Sequence, residues 1–209
     1  MVESSSIHAT PEVRVLGEDH APEVTRVLCG SFYDYPVMRY VVGDSADYDH
    51  RLNKFVHFFV MAHALRGDPL LGTMDGTALT ATAIISYTDG RESPAELAAL
   101  RDAMWGDLGP ESRSRYGVFA AACVPFEVDT PHIHLSMIGV SRAAQGRGLG
   151  RILIDQVHLI SERDATSQGV TLTTEDPSNV PLYEHFGYRV VGHTRVSPSL
   201  ETWGFFRPD

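Results

Sequence analysis

The chain has 209 residues, enough for one domain with a full core, and its apolar share (43%) and charged share (21%) match a soluble globular protein rather than a disordered or membrane one. A formal net charge of −10 with no Lys/Arg cluster excludes the basic face that displaces counterions from duplex nucleic acid. An acidic balance instead attracts cationic small molecules.

Residues 1–10 read as a polar arm, leaving 11–209 as a single domain. Val13–Leu16 is a short strand candidate, and Pro22 and Glu23 mark the start of a helix over about 21–32 with Val24, Val27 and Leu28 on one face. Pro36 ends that helix, because the residue before proline is pushed out of the α region. Leu52, Phe55, Val56, Phe59 and Val60 recur at helical spacing within a second helix, about 47–65. Strands near 69–74 and 78–87 flank Asp75-Gly76, a hairpin signal. Residues 93–105 and about 113–123 read as helices, and 132–140 as a strand that runs straight into a glycine-rich loop. A helix over about 149–164, a strand at 170–174, a short helix over 179–186 capped by Gly187, and strands near 188–196 and 201–207 complete the chain. No repeat or linker divides it, so a single mixed α/β (α+β) domain is expected.

Cys29 and Cys123 are far apart in apolar sequence and read as two reduced, buried thiols. No run reaches the ~18 apolar residues of a membrane helix. The opening MVESSSIHAT has neither the basic nor the apolar region of a signal peptide, so the cytoplasm is the expected location.

The most informative context is strand 132–140, loop 141–148 and helix 149–164. Gly146, Gly148 and Gly150 let backbone N–H groups approach a ligand, the helix start favours an anion, and Arg147 and Arg151 add positive charge. This is a cradle for a pyrophosphate. It lacks the Lys-Ser/Thr of a P-loop and the glycine spacing of a dinucleotide fingerprint. On the glycines alone, a tight turn without a ligand stays open.

Gln145, Gly148 and Gly150, with the lead-in Leu135 to Val140, resemble the loop pattern of the GCN5-related N-acetyltransferase (GNAT) superfamily. A second block, Asn179, Pro181, Leu182-Tyr183-Glu184 and Phe186-Gly187-Tyr188, is similar to that family at family spacing. Within it, the segment Phe32 to Arg39, with Tyr35-Pro36, is most similar to puromycin N-acetyltransferase-type members.

The resemblance implies a mixed sheet of about six to seven strands, helices on both faces, and a splay between two central parallel strands, here 132–140 and 170–174. It implies direct transfer of acetyl from acetyl-CoA to an amine. Backbone groups at Ile138 and Val140 would pair with the pantetheine arm, Gln145 to Arg151 would take the pyrophosphate, and Asn179 would contact the CoA arm. Tyr183 matches the tyrosine that protonates the departing thiolate. Tyr35 matches a tyrosine beside the acceptor, as proton acceptor or pocket wall.

His134 is a third catalytic candidate, since His132, His134 and Ser136 share one strand face. Hydrogen-bonded structural histidines are the plainer reading of that pair. Glu175 and Asp176 would hold a cationic amine or draw its proton away, or be loop carboxylates in water. Phe32, Tyr33, Tyr35, His132 and Glu175 are the expected acceptor contacts, suited to an amine on an apolar or aromatic body. His132 and His134 have no third metal ligand, so no metal is expected. The expected acceptor is a small-molecule amine. A peptide amine, and a non-catalytic acyl-CoA sensor, are the alternatives. A homodimer is compatible with the sequence and not required by it.

Overall fold

The computed structural model describes residues 11–88 and 93–209; the predicted arm at 1–10 lies outside the described residues. Strand β1 (Val13–Leu16) leads into helices α1 (Ala21–Ser31), α2 (Pro36–Val42) and α3 (Tyr48–Arg66). The hairpin β2 (Leu70–Asp75) and β3 (Ala78–Tyr87) follows, then α4 (Ala95–Cys123) and β4 (Ile133–Val140). The chain closes with α5 (Leu149–Arg163), β5 (Gly169–Thr174), α6 (Val180–His185) and the hairpin β6 (Arg189–Ser197) and β7 (Leu200–Pro208).

All seven strands form one sheet in the order β1-β2-β3-β4-β5-β7-β6, antiparallel except for the central β4–β5 pair. Helices cover both faces, as expected. One core packs α1 to α4 on the sheet through residues such as Leu28, Val56, Phe55 and Met137. The other seats α5 through Leu149, Leu153 and Val157, with Tyr183 and Phe205 beside them. No helix of the described residues is long and apolar enough to cross a membrane. Cys29 and Cys123 are free, half-buried thiols, and burial pushes both up to about 11, which keeps them protonated.

One element differs from the sequence reading. The stretch after Pro36 does not merely end α1; proline sits in the first turn of a new helix, α2, where its missing N–H costs nothing. The two helices expected over 93–123 are present as two helical segments of α4, separated by a break at Gly109 (φ 81°) and Pro110. Arg51 holds this break together. Its guanidinium donates to the Leu108 carbonyl (2.7 Å), to the Val42 carbonyl (3.2 Å) and to Ser112 Oγ (3.0 Å). One side chain of α3 thus satisfies carbonyls freed at the end of α2 and at the α4 break.

At Gly139 a Cβ would stand 2.6 Å from Ser31 Oγ, so the missing side chain lets α1 lie directly on β4. Ser31 Oγ donates across that contact to the Val140 carbonyl at 3.1 Å. α1 is therefore locked to the strand end that feeds the glycine loop.

Candidate functional site

The site begins as a failure of strand pairing. β4 and β5 share three rungs, Ile133–Val170, His134–Thr171 and Leu135–Leu172, and then part. On the other side of β4, the pairing with β3 steps from Leu135 opposite Ile85 to Met137 opposite Ile84, so Ser136 is the extra residue of a β-bulge. A bulge bends its strand and increases local twist, which turns the rest of β4 away from β5. The expected splay between the central parallel strands is this gap. A cavity of about 750 Å³ fills it, walled by α1 to α4 on one face and reaching Asn179 and Tyr183 through the sheet.

At the C-terminal end of β5, three groups interlock. The Glu175 N–H donates to Tyr35 Oη (3.0 Å), the Tyr35 hydroxyl bonds Thr174 Oγ1 (2.7 Å), and Asn179 Nδ2 donates to the same Thr174 oxygen (3.1 Å). The Glu175 carboxylate is buried and accepts from Thr202 Oγ1 at 2.8 Å. Desolvation raises its pKa to about 7, so it exchanges a proton near neutrality. Burial, reinforced by the Glu175 charge, pushes the Tyr35 phenol well above its ordinary value.

Tyr183, on α6, lines the cavity from the opposite face, its ring packed on Tyr188 and Phe205. Burial and the Glu175 charge raise its pKa to about 12, so it holds its proton throughout the working range.

Two histidines face the cavity from the α3 side. His134 Nδ1 lies 2.9 Å from Thr171 Oγ1, and burial lowers its pKa to about 4. His63 Nδ1 donates to the Phe59 carbonyl (2.7 Å), which leaves Nε2 to accept from Ser136 Oγ–H at 2.9 Å. That bond ties α3 to the bulge, and burial lowers the His63 pKa as well.

Beyond the gap, the glycine loop lies on the surface. Gly146 (φ 76°) and Gly148 (φ 75°) hold left-handed backbone conformations that side chains disfavour, with open space where a Cβ would project. No side chain caps the start of α5, and its first turn carries no acid. The leading N–H groups of a 15-residue helix are therefore presented outward with Arg147 and Arg151 beside them. Arg147 pairs with Asp75 at 3.1 Å, and the Arg151 guanidinium stacks 5.4 Å from the Phe186 ring centre. This donor set fits a pyrophosphate, and the unpaired inner edge of β4 fits an extended amide-bearing arm.

Of the residues singled out in the sequence, Phe32, Tyr35, His134, Ile138, Glu175, Asn179 and Tyr183 line one cavity. Val140, Gln145, Gly146, Arg147, Gly148, Gly150 and Arg151 lie outside the cavity wall, from the end of β4 through the glycine loop into α5. Tyr33 stands apart. Its carbonyl accepts from Tyr48 Oη (2.7 Å) and its ring packs edge-on against Tyr48, outside the cavity wall. His132 also turns away, its Nδ1 2.6 Å from the Thr130 carbonyl in a separate shallow depression.

The sequence reading passed over His63 and the aromatic side chains of α3 and α4. Phe55 and Phe59 carried a signal, but at helical spacing they read as core.

Residues 121–201 match the family model described as an acetyltransferase (GNAT) domain. An uncharacterized N-acetyltransferase of Schizosaccharomyces pombe is 27% identical over 188 residues, covering 84% of this chain and 72% of that protein. Among solved structures, a histone acetyltransferase HPA2 and related acetyltransferase from Corynebacterium glutamicum superposes with a TM-score of 0.72 at 16% identity, covering 96% of this chain and 98% of that one. Arabidopsis thaliana NAA60, solved in complex with acetyl-CoA, superposes with a TM-score of 0.58 at 14% identity, covering 96% and 100%. Residues 121–201 thus match a GNAT acetyltransferase domain, and the chain shares its fold with the acetyltransferase structures on which it superposes.

Proposed function

We propose that this enzyme transfers acetyl from acetyl-CoA directly to the amine of a small molecule. The observation that carries the reading is the cavity passing through the β4–β5 gap, with Glu175 and Tyr183 both on its wall. Acetyl-CoA supplies the activated acyl carbon. The N–H groups from Gly146 to Arg151 and the two arginines hold its phosphates, the inner edge of Ser136–Val140 pairs with its amide arm, and Asn179 steadies that arm.

Glu175 is the proton acceptor. Above its pKa of about 7 it is a carboxylate beside the acceptor end, able to take a proton from the attacking nitrogen. His134 serves less well in that role, because a group with a pKa of about 4 binds a proton weakly at neutrality. Tyr35 acts as a clamp: its hydroxyl already bridges the Glu175 N–H and Thr174, and a phenolate there would face the Glu175 charge. This clamp is the feature that carries the finer likeness to puromycin N-acetyltransferase-type members. Tyr183 delivers its proton to the departing sulfur. The C–N bond forms, the C–S bond breaks, and one proton ends on Glu175 and one on the thiol.

A cavity lined by aromatic side chains from the helical layer suits a small acceptor with an apolar body. Free-thiol release from acetyl-CoA, with and without a panel of small amines and a lysine peptide, tests the reading. Amine-stimulated release that collapses in Tyr183→Phe supports it. Release stimulated by the peptide alone would overturn the small-molecule assignment. Thermal stabilisation by acetyl-CoA with no turnover of any amine would make the domain a sensor.

A further inference from the structure

Resting on the acetyl-transfer reading, we infer that the acceptor is a monoamine carrying an aromatic body, and that a second positive charge on it is rejected. The evidence is the outer half of the cavity, which the catalytic roles above do not use. Phe55, Phe58 and Phe59 of α3 meet Trp105, Tyr116 and Phe119 of α4 there. Their rings form a continuous edge-to-face or tilted chain: Phe58–Phe59 at 5.3 Å, Phe59–Tyr116 at 6.0 Å, Trp105–Tyr116 at 5.5 Å and Tyr116–Phe119 at 6.5 Å between centres. Rings held by their neighbours offer rigid edges and faces, the arrangement that receives another ring at little entropic cost.

Phe58, Phe59, Tyr116 and Phe119 keep part of their surface uncovered although they line a cavity inside the helical layer. Phe55 and Trp105 belong to the buried core, but four part-exposed rings around an open space are more than a core needs, since a core closes on itself.

Charge selects further. The acids on the described cavity wall are Glu175 and Asp176, both at the C-terminal end of β5. The arginines on that wall are Arg66 and Arg101. Arg66 lies past His63 at the end of α3, where Asp68 accepts from the Tyr87 N–H, level with the Ile133–Val170 rung. Glu175 is five residues beyond that rung, roughly 16 Å along the strand at about 3.3 Å per residue. An amine at Glu175 therefore has rings behind it and guanidinium groups at the far rim. A diamine or polyamine would carry its second ammonium toward Arg66 and Arg101, away from the two acids on the described cavity wall.

The test measures kcat/KM by free-thiol release for 2-phenylethylamine, n-butylamine and 1,4-diaminobutane, in wild type and in Phe119→Ala, Arg101→Glu and Tyr183→Phe. Phe119 and Arg101 are only partly covered, so both variants are expected to fold; a far-ultraviolet spectrum and a melting curve check this. Expected in wild type is a preference of about 30-fold or more for phenylethylamine over butylamine, the value of burying one ring. Phe119→Ala should cut that preference about tenfold, and Arg101→Glu should raise relative use of the diamine about fivefold. Preference for the diamine in wild type, or a loss in Phe119→Ala that is equal for all amines, would overturn the inference while leaving the transferase standing. If no amine stimulates release and Tyr183→Phe changes nothing, the acetyl-transfer reading fails and the inference falls with it.

Discussion

The two ends of the site are built in opposite ways. The cofactor end is a surface loop of local sequence: positive-φ glycines, an uncapped helix start and two flanking arginines, all within Gln145 to Arg151. The acceptor end is a half-open cavity whose wall comes from α1, α2, α3, α4, β4 and β5. A ligand shared by many enzymes is recognised by backbone geometry that a few glycines specify. A ligand particular to one enzyme is recognised by side chains, whose juxtaposition only the fold creates. Substitutions at the two ends should therefore fail in different observables, KM for acetyl-CoA at the first and kcat or acceptor discrimination at the second.

The largest effect is expected at the junction of the two ends. Tyr183→Phe should lower kcat by about 100-fold while leaving KM for acetyl-CoA within about twofold, because it removes a proton donor and keeps the ring packing. An unchanged kcat would remove Tyr183 from the chemistry.

Glu175→Gln should lower kcat/KM for the amine by about 30-fold at pH 8 and abolish the inflection near pH 7 expected of wild type. Stability should move the other way. Glu175 ionises near 4.5 in the unfolded chain and near 7 in the fold, so its ionised form weakens the fold as pH rises between those values. The Gln variant should be more stable than wild type at pH 8, by up to about 3 kcal/mol, with the gap vanishing below pH 4.5. Denaturant titrations at pH 5 and pH 8 check the sign.

At the cofactor end, Gly148→Ala places a side chain at φ 75°. A cost of about 1–2 kcal/mol and a rise of about tenfold in KM for acetyl-CoA are expected, with amine discrimination unchanged. Arg147→Ala should be the mildest. The side chain is exposed and already paired with Asp75, so KM should rise about threefold at low salt and hardly at all at high salt. A change in amine preference in either variant would break the division between the ends.

Most of the fold was legible in the sequence because its signals are local. Asp75-Gly76 turns the hairpin, Val24, Val27 and Leu28 stripe α1, and alternation marks β4. What escaped was α2, since a proline that reads as a helix stop has the same fixed φ as one that starts a helix, and α1 already ends at Ser31. The two helical segments of α4 were legible, while Arg51, far away in sequence, which satisfies the carbonyls at the break between them, was not.

The role of the block around Asn179 and Tyr183 and the parallel pairing of β4 with β5 came from the family resemblance, while by itself the sequence determined the strand–loop–helix at Val140 to Leu149 and the order of the elements. Those features depend on residues close in the chain, where glycine φ and helix ends decide the outcome. Only the tertiary structure decided that Tyr33 and His132 turn away while His63 reaches Ser136 at the bulge. Only there does Glu175 become hard to ionise, because the burial that raises its pKa is supplied by the surrounding fold. The rings of α3 and α4 have the spacing of a core, and whether such rings close on each other or enclose a space is a property of packing between helices that no single segment carries.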